Sequence, residues 1–310
     1  MIKYYYRQNK NSNLEIRNTF IENSWIVVEN PANDEIDYLV KKLKLDTGLI
    51  IDAIDVDEAP RLEIEAGLLY LFSRYAYTDS VNSIKTAPAL FVVGKDFIVS
   101  ITGRNKSIYK TLADDNPHYI TSDKMDLVTK LFNVSIDSYT SRLKTVSRQI
   151  RSIRSNLSID KLSNKDFIQL VEVGDVLNEF IGDIVPLNNV LQILAKNKLV
   201  YKFDEDELDI LEDLYLSANQ LLDNSKSVLK TIVNIRDSYA NIATNNLNKK
   251  INILTTLTVI LTIPTIVGSF WGMNVNVPFH DSADSFLIII AVTLVIVFGA
   301  LVWLRAKKWF

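Results

Sequence analysis

The chain of 310 residues has no cysteine and only two histidines, His118 and His280. Without cysteine it can form neither a disulfide framework nor a thiolate metal site. The two histidines lie far apart in the sequence, so they do not by themselves indicate a zinc site. This composition also disfavours a pathway for a soft metal ion.

Strong charge of one sign and enzymatic motifs are missing as well. The formal net charge is −3, and so balanced a charge argues against a nucleic-acid partner. The first residues, MIKYYYRQNK, lack the apolar core of a signal peptide, so we expect the soluble part to stay on the side of synthesis. No Gly-rich Lys-Ser/Thr loop, nucleophile–base pair or metal-ligand cluster stands out. We therefore predict that the chain is not an enzyme.

Two runs without charged residues are present, and both lie near the end of the chain. The first spans Ile251 to Asn274 and the second Phe286 to Leu304. Each is about 20 residues long, enough for an α-helix to cross a hydrocarbon layer about 30 Å thick. The sequence therefore predicts two transmembrane helices, with the lipid bilayer as a partner.

Basic residues flank these two runs on one side only. Lys249 and Lys250 precede the first run and the tail RAKKWF follows the second, whereas the connecting segment has no basic residue. The positive-inside rule then places both termini in the cytoplasm and the connection outside. We expect a multi-pass protein of the cell (inner or plasma) membrane.

A stripe of polar residues follows the first apolar run and the segment before it. Its members are separated by three or four residues, with one step of seven: Asn241, Asn245, Asn248, Asn252, Thr255, Thr262, Thr265 and Ser269. On a helix this spacing gives one continuous polar stripe. Such side chains can hydrogen-bond between membrane helices, or they can line a water-filled pore repeated around a symmetry axis. The length of the stripe, its lack of charge and its continuation beyond the apolar run favour the pore.

The first hundred residues predict an α+β domain. Runs rich in β-branched and aromatic residues indicate strands at 2–7, 24–30, 68–78, 87–94 and 96–102. They favour a mixed or largely antiparallel sheet, with Tyr70, Phe72, Phe91 and Phe97 in its core. Two helices are predicted before the longer strands, one from Asn33, its N-cap, to Leu45 and one from Leu49 to Ile54.

From Ser122 onward the strand signals stop and three long helices are predicted. They cover 122–156, 164–195 and 204–271, the second being interrupted or ended near Pro186. The first has one face formed by Met125, Val128, Leu131, Phe132, Ser135 and Tyr139. The third would be about 100 Å long at about 1.5 Å per residue. So long a helix must pack against copies of itself or against other long helices.

The tetrapeptide Trp271-Gly272-Met273-Asn274, at the outer end of the first of two C-terminal spans, resembles the signature of the CorA family of divalent-cation channels. The basic tail and the segment DEAPRLE at 57–63 support the same resemblance, which covers almost the whole chain. It implies a funnel-shaped homopentamer that carries Mg²⁺, with Co²⁺ and Ni²⁺ as further candidates, into the cytosol. The membrane potential would drive influx, and cytosolic Mg²⁺ bound between subunits would close the channel.

The resemblance also implies a domain organisation. Residues 1–120 would form the cytoplasmic α/β domain and 121–203 a helical, coiled-coil hairpin region. A long stalk helix at 204–271 would continue into the pore-lining first transmembrane helix. An extracellular loop (272–285), the second transmembrane helix (286–304) and a basic cytoplasmic tail (305–310) would follow.

The pore residues are assigned by the same resemblance. Gly272, Met273 and Asn274 match the family signature, in which a ring of asparagines is the proposed selectivity filter. Asn248, Ile251, Leu254 and Thr265 match pore or constriction positions, and the polar stripe completes the predicted wall with Asn252, Thr255, Thr262 and Ser269.

Acidic residues are assigned to regulation and to cation attraction. Asp52 and Asp213 match two acids that hold a regulatory Mg²⁺ between neighbouring subunits. Asn276 fills a position where an acid is expected, so attraction of cations at the outer loop falls to Asp281 or Asp284. Mg²⁺ is therefore expected both as substrate and as regulatory ligand.

Two alternatives remain open from the sequence. A zinc transporter of the same superfamily shares the architecture and the signature, and only ion flux with each metal separates the two. A two-span, membrane-anchored coiled-coil scaffold belongs to another class of protein. If the chain were such a scaffold, we would expect apolar residues at the positions of the polar stripe and no functional requirement for Asn274.

Overall fold

The computed structural model describes residues 1–9, 12–104, 108–109, 111–112, 119–155, 164–196, 201–275 and 284–307. Contacts within the chain divide it into two compact units, Met1–Val233 and Asn234–Phe310. One long helix contributes residues to both units.

The first unit contains a seven-stranded sheet in the order β2-β1-β3-β7-β6-β5-β4. The strands are β1 (Ile2–Tyr6), β2 (Glu15–Arg17), β3 (Ser24–Glu29), β4 (Leu62–Glu65), β5 (Leu68–Thr78), β6 (Ile84–Val93) and β7 (Phe97–Thr102). β3 and β7 are parallel, and the other pairings in the described chain are antiparallel. The predicted mixed, largely antiparallel sheet is confirmed, whereas β2 and β4 were not predicted.

The central strands are buried on both faces, which explains their nearly continuous apolar sequences. Tyr70, Phe72 and Phe91 are fully buried and Phe97 is 8% exposed, so the predicted core residues are confirmed. Helices α1 (Asn33–Leu43) and α2 (Thr47–Asp52) cover one face of the sheet. The other face packs against α3 (Lys124–Ser155), where the Phe91 and Phe132 rings meet edge to face.

The two short helices begin at other residues than predicted. The N-cap of α1 is Ala32 rather than Asn33, because Glu35 supplies the acceptor and bonds the Ala32 N–H at 3.1 Å. Helix α2 begins two residues before the predicted Leu49, because the Asp46 carboxylate caps it by accepting from the Leu49 N–H at 3.0 Å.

Two long helices follow the sheet in the first unit. The predicted buried face of α3 is confirmed, since all six of its residues are buried. Helix α4 (Asn164–Ala195) continues through Pro186, so the predicted interruption there is wrong. The carbonyl that Pro186 leaves without a helical donor belongs to Gly182, four positions earlier, and this residue is exposed, so water can satisfy the carbonyl.

A buried ionic network joins the sheet to both long helices. The Arg74 guanidinium donates to the carbonyls of Val56 and Glu58 at 2.7 and 2.8 Å, and its Nε lies 2.9 Å from Asp183 Oδ1. Tyr139 donates its hydroxyl to Asp183 Oδ2 at 2.9 Å. Burial raises the pKa of Asp183, and the Arg74 cation opposes that shift. The network therefore ties the segment after α2 to α3 and α4.

The remaining two helices carry the predicted membrane spans. Helix α5 (Glu205–Trp271) has 67 residues, and α6 (Ser285–Ala306) has 22. Both are long and apolar enough to cross a membrane. The second unit consists, in its described part, of α5 from Asn234 onward and α6.

Candidate functional site

One side of α5 in the second unit is more buried than the rest of the helix. Thr256 is 8% exposed, and Ile260, Ile263 and Val267 are half-buried at steps of four, three and four residues. Because α6 is the other described element of this unit, we infer that these residues face α6. Thr265 lies nine residues from Thr256, which places it about 180° around the helix at about 100° per residue.

Most of the predicted pore residues are exposed in the single chain. This group comprises Asn248, Ile251, Leu254, Thr262, Thr265 and Ser269, and Asn241 and Asn245 continue it before the apolar run. Asn252 and Thr255 are half-buried. The structure thus leaves most of the stripe on a free surface of α5.

Thr258 belongs to the same surface and was missed by the sequence reasoning. It is exposed and lies three residues after Thr255 and four before Thr262, which fills the one seven-residue gap in the stripe. The helical spacing alone could have identified it.

The threonine hydroxyls of the stripe share one hydrogen-bond pattern. Each donates to the backbone carbonyl four residues earlier at 2.7–2.9 Å, in Thr255, Thr258, Thr262 and Thr265. The hydroxyl hydrogen is therefore used within the helix, and the remaining lone pairs of the oxygen can only accept. The stripe presents acceptors to whatever lies beside it.

Helix α5 ends at Trp271, directly before Gly272, Met273 and Asn274. The Gly272 N–H makes the last helical bond, to the carbonyl of Gly268 at 2.9 Å. A Cβ on Gly272 would lie 3.3 Å from that same oxygen, so glycine allows the turn to close without crowding. Met273, the next residue, is 50% exposed.

Asn274 does not act as a helix cap. It lies three residues beyond the last helical residue, its φ is not positive, and its side chain makes no hydrogen bond within the described part of the chain. The side chain is exposed. Its amide is therefore available to bind something outside the chain.

Asp52 lies at the end of α2 and is paired within its own chain. Arg61 Nη2 lies 2.8 Å from Asp52 Oδ2, and the same guanidinium pairs with Glu58 and Glu63. The guanidinium carbon stacks over the Phe72 ring at 3.9 Å from its centroid. Sequence reasoning missed this partner, although Arg61 stands within the DEAPRLE segment.

Asp213 is exposed on the first part of α5, between the exposed aliphatic residues Ile210 and Leu216. Asp52 has similar neighbours, since Ile51 and Val56 are 54% and 68% exposed. Among the described residues, no group of three or more His, Asp or Glu side chains is arranged to hold a metal within one chain. A metal shared between copies therefore stays a prediction.

Most of the outer-loop residues named in the predictions lie outside the described residues. These are Asn276, His280 and Asp281. Asp284 is exposed at the N-cap of α6 and makes no side-chain capping bond. His118 also lies outside the described residues.

Comparisons with known proteins agree over nearly the full length. The family model described as "CorA-like Mg2+ transporter protein" matches residues 22–308. The cobalt/magnesium transport protein CorA of Methanocaldococcus jannaschii is 22% identical over 293 residues, or 92% of this chain and 90% of that protein. The magnesium transport protein CorA of Campylobacter jejuni is 21% identical over 303 residues, with the same shares covered.

A solved structure shares the whole fold. The complete structure of the CorA magnesium transporter from M. jannaschii matches with a TM-score of 0.87 at 17% sequence identity. The match covers 100% of this chain and 99% of that one. It includes the N-terminal α/β region, the long helix and the two C-terminal candidate transmembrane helices.

Proposed function

Because this chain belongs to the family of CorA-like Mg²⁺ transporter proteins, we propose that it is a homopentameric membrane channel for hydrated Mg²⁺, with Co²⁺ and Ni²⁺ as further cargo. The observation that supports a channel most directly is the row of exposed hydroxyl acceptors on α5. Copies of α5 arranged around an axis would turn this row toward a common lumen.

Neutral acceptors suit the chemistry of this ion. Mg²⁺ gives up its water shell reluctantly, and the hydrogens of those waters point outward. Oxygens that can only accept, as in Thr258, Thr262 and Thr265, match these hydrogens without removing a water. A ring of carboxylates at a narrow point would hold the dication too tightly for rapid release, whereas neutral oxygens let it leave.

Asn274 is proposed as the outer filter, with Gly272 and Met273 forming the turn that presents it. Five carboxamide oxygens would accept from the water shell of the entering ion. Asp281 and Asp284 would raise the local concentration of cations at the mouth. Both termini would lie in the cytoplasm of a cell bounded by this membrane.

The electrical gradient suffices to drive entry. Moving one charge through 100 mV releases about 2.3 kcal/mol, and a dication therefore gains about 4.6 kcal/mol. No other energy source is needed for influx.

Exposed aliphatic residues support assembly around the two regulatory acids. Ile51 and Val56 flank Asp52, and Ile210 and Leu216 flank Asp213. If these surfaces met between neighbouring copies, the aliphatic side chains would be buried and the two carboxylates would face each other. Facing carboxylates repel unless a cation lies between them, so cytosolic Mg²⁺ would favour the closed, symmetric arrangement.

Uptake of Mg²⁺ into proteoliposomes by wild type and Asn274→Ala tests the proposal. We expect the variant to lose most of its flux while native mass spectrometry shows an unchanged oligomer. Unchanged flux with unchanged ion preference would contradict the assignment of Asn274 as the filter. Parallel uptake of Co²⁺, Ni²⁺ and Zn²⁺ by wild type separates a magnesium channel from a zinc transporter.

A further inference from the structure

A groove between α3 and α5 in the first unit has no assigned role. It encloses about 940 Å³, and its apolar floor includes Leu143 and Leu221. One wall carries three exposed cations of α3, namely Lys144, Arg148 and Arg151. None of them lies within 4.0 Å of a carboxylate among the described residues.

The opposite wall of the groove is neutral. It is formed on α5 by the hydrogen-bonding side chains Ser217, Gln220, Asn224 and Ser227. These residues continue the side of α5 on which Asp213 lies, since Ser217 and Gln220 follow Asp213 by four and seven residues. The groove is therefore continuous with the surface proposed above as the contact between copies.

A second charged row, on α4, has the matching spacing and the opposite sign. Glu172, Asp175 and Glu179 follow one another at three and four residues, and Glu172 and Asp175 are exposed. The cations on α3 are spaced by four and three residues. When the two rows run in opposite directions, each acid meets one cation, as Glu172 with Arg151, Asp175 with Arg148 and Glu179 with Lys144.

The two rows also lie at the same level along the pair of helices. Tyr139 of α3 bonds Asp183 of α4 and packs on Phe180. Counting from that contact along antiparallel helices, Arg148 falls at the level of residues 171–174, one turn or less from Asp175. Yet in the described part of one chain no acid of this row pairs with a cation of α3.

We propose that the acidic face of α4 in one copy docks into the basic groove between α3 and α5 of the next copy. A rotation about an axis parallel to α5 does not change the height of a residue along that axis. The acids of the neighbouring copy therefore lie at the same height as the cations. Ile168, 57% exposed and one turn before Glu172, would enter the apolar floor. Glu179 contributes least, because Thr86 already donates its hydroxyl to it. The proposal rests on the self-assembly proposed above.

The absence of cysteine from the chain allows a direct test. Full-length Arg148→Cys and Asp175→Cys, each with its own tag, are co-expressed and treated in membranes with a short bifunctional thiol reagent. We expect a cross-linked dimer that carries both tags, and a ladder of oligomers from the double variant. Gln149→Cys paired with Asp175→Cys is the matched control, because Gln149 is exposed about 100° further around α3. It should cross-link at least fivefold less.

Charge reversal provides a second measurement. Arg148→Glu should lower the fraction of intact oligomer in native mass spectrometry at least twofold, and adding Asp175→Arg should restore it.

The outcomes separate this inference from the proposed function. A wild type that is monomeric in membranes would contradict both. An intact oligomer without the mixed cross-link would contradict the docking alone, as would a charge swap that fails to restore assembly. Binding of inorganic tripolyphosphate to the assembled wild type, abolished by Arg148→Glu, would also contradict it, since the groove would then be open to solvent.

Discussion

A threonine in an apolar helix can bond its own backbone and still present lone pairs to a passing ligand. The hydroxyls of Thr258, Thr262 and Thr265 do this, each donating to the carbonyl one turn earlier. The helix thus satisfies the hydrogen of each hydroxyl and leaves an acceptor outside. This residue-scale geometry is what makes an uncharged row suitable for an ion that keeps its water.

Thr265→Val tests the acceptor role of that row. Valine keeps the shape and removes the oxygen, and we expect Mg²⁺ flux in proteoliposomes to fall about tenfold, equivalent to about 1.4 kcal/mol. Thr256→Val is the matched control. Its hydroxyl is buried on the opposite side of α5 without a partner in the described chain, so its loss should leave flux unchanged. Equal flux for wild type and Thr265→Val would contradict the role.

Arg61 should set the Mg²⁺ sensitivity of the two acids proposed to regulate the channel, Asp52 and Asp213. Its guanidinium Nη2 lies 2.8 Å from Asp52 Oδ2, so it competes with any metal ion for this carboxylate. We expect Arg61→Gln to lower the internal Mg²⁺ concentration for half-inhibition several-fold, since the carboxylate loses its competitor. Lys85→Gln, which removes a cation paired with Asp79 elsewhere on the sheet, should not change it.

The double substitution Asp52→Asn with Asp213→Asn addresses the acids themselves. Without their charges the contact between copies needs no cation, and internal Mg²⁺ should no longer close the channel. Patch-clamp or uptake at controlled internal Mg²⁺ measures this. Full inhibition in the double variant would show that the two acids do not regulate the channel.

Sequence reasoning at this scale found the residues that follow a period and missed those that depend on contact. The stripe came from spacing, and Thr258 could have been found the same way. The pairing of Asp52 with Arg61 could not, because the path of the chain between them positions the guanidinium over Phe72. The spacing of residue types along the sequence gives no information about the path of the chain between these two residues.

At the scale of the element, the start of α5 contains a buried carboxyl. Glu207 and Asp204 cap the helix reciprocally, with each backbone N–H bonded to the other side chain at 2.7 and 2.8 Å. Burial, with the nearby carboxylates of Asp123 and Asp204, raises the pKa of Glu207 to about 7. Lys95 and Lys124 line the same small cavity.

This raised pKa predicts a pH-dependent stability. The folded state holds the Glu207 proton more tightly than the unfolded state, so the stabilisation is complete below the ordinary value of 4.5 and is lost as the pH rises through about 7. We expect Glu207→Gln to flatten this part of the pH dependence of the thermal unfolding midpoint, followed by circular dichroism in detergent. Glu205→Gln, in the same turn but exposed, should leave it unchanged.

The network between the sheet and α4 predicts a large effect of a single substitution. Asp183→Ala would leave the buried Arg74 guanidinium and the Tyr139 hydroxyl without this partner. Removing one member of a buried ion pair costs about 3–5 kcal/mol. Chemical denaturation should show this loss, whereas Asn189→Ala, exposed on the same helix, should change stability by less than about 0.5 kcal/mol.

Elements were predictable where one local rule dominated. The long helices and central strands have strong periodic or apolar patterns, and they are present. The short strands β2 and β4 have only three and four residues and form because longer neighbours pair with them. The effect of Pro186 was predicted wrongly because the carbonyl that it leaves without a donor, on Gly182, is exposed to solvent, which the sequence alone did not show.

At the scale of the whole molecule, the fold matches a solved transporter from end to end. A single chain does not show which of its exposed surfaces would be buried against a neighbouring copy. Ile210, Leu216, most of the stripe of α5 and the groove beside α3 are exposed in a single copy. Sequence reasoning predicted from the length of α5 that it packs against copies of itself or against other long helices, whereas the proposed charge pairing between α3 and α4 of neighbouring copies could be inferred only from the positions of these helices.

Thiol accessibility along α5 tests the central proposal, a water-filled lumen lined by neutral oxygens, most directly. Because the chain has no cysteine, a single cysteine introduced at any position from Leu254 to Ser269 is the only thiol that can react. In liposomes, a small water-soluble thiol reagent should modify cysteines at Thr258, Thr262, Thr265 and Ser269 and block Mg²⁺ flux, whereas cysteines at Ile260, Ile263 and Val267 should stay unmodified. A stripe that does not react, or equal reaction on the side facing α6, would contradict the account.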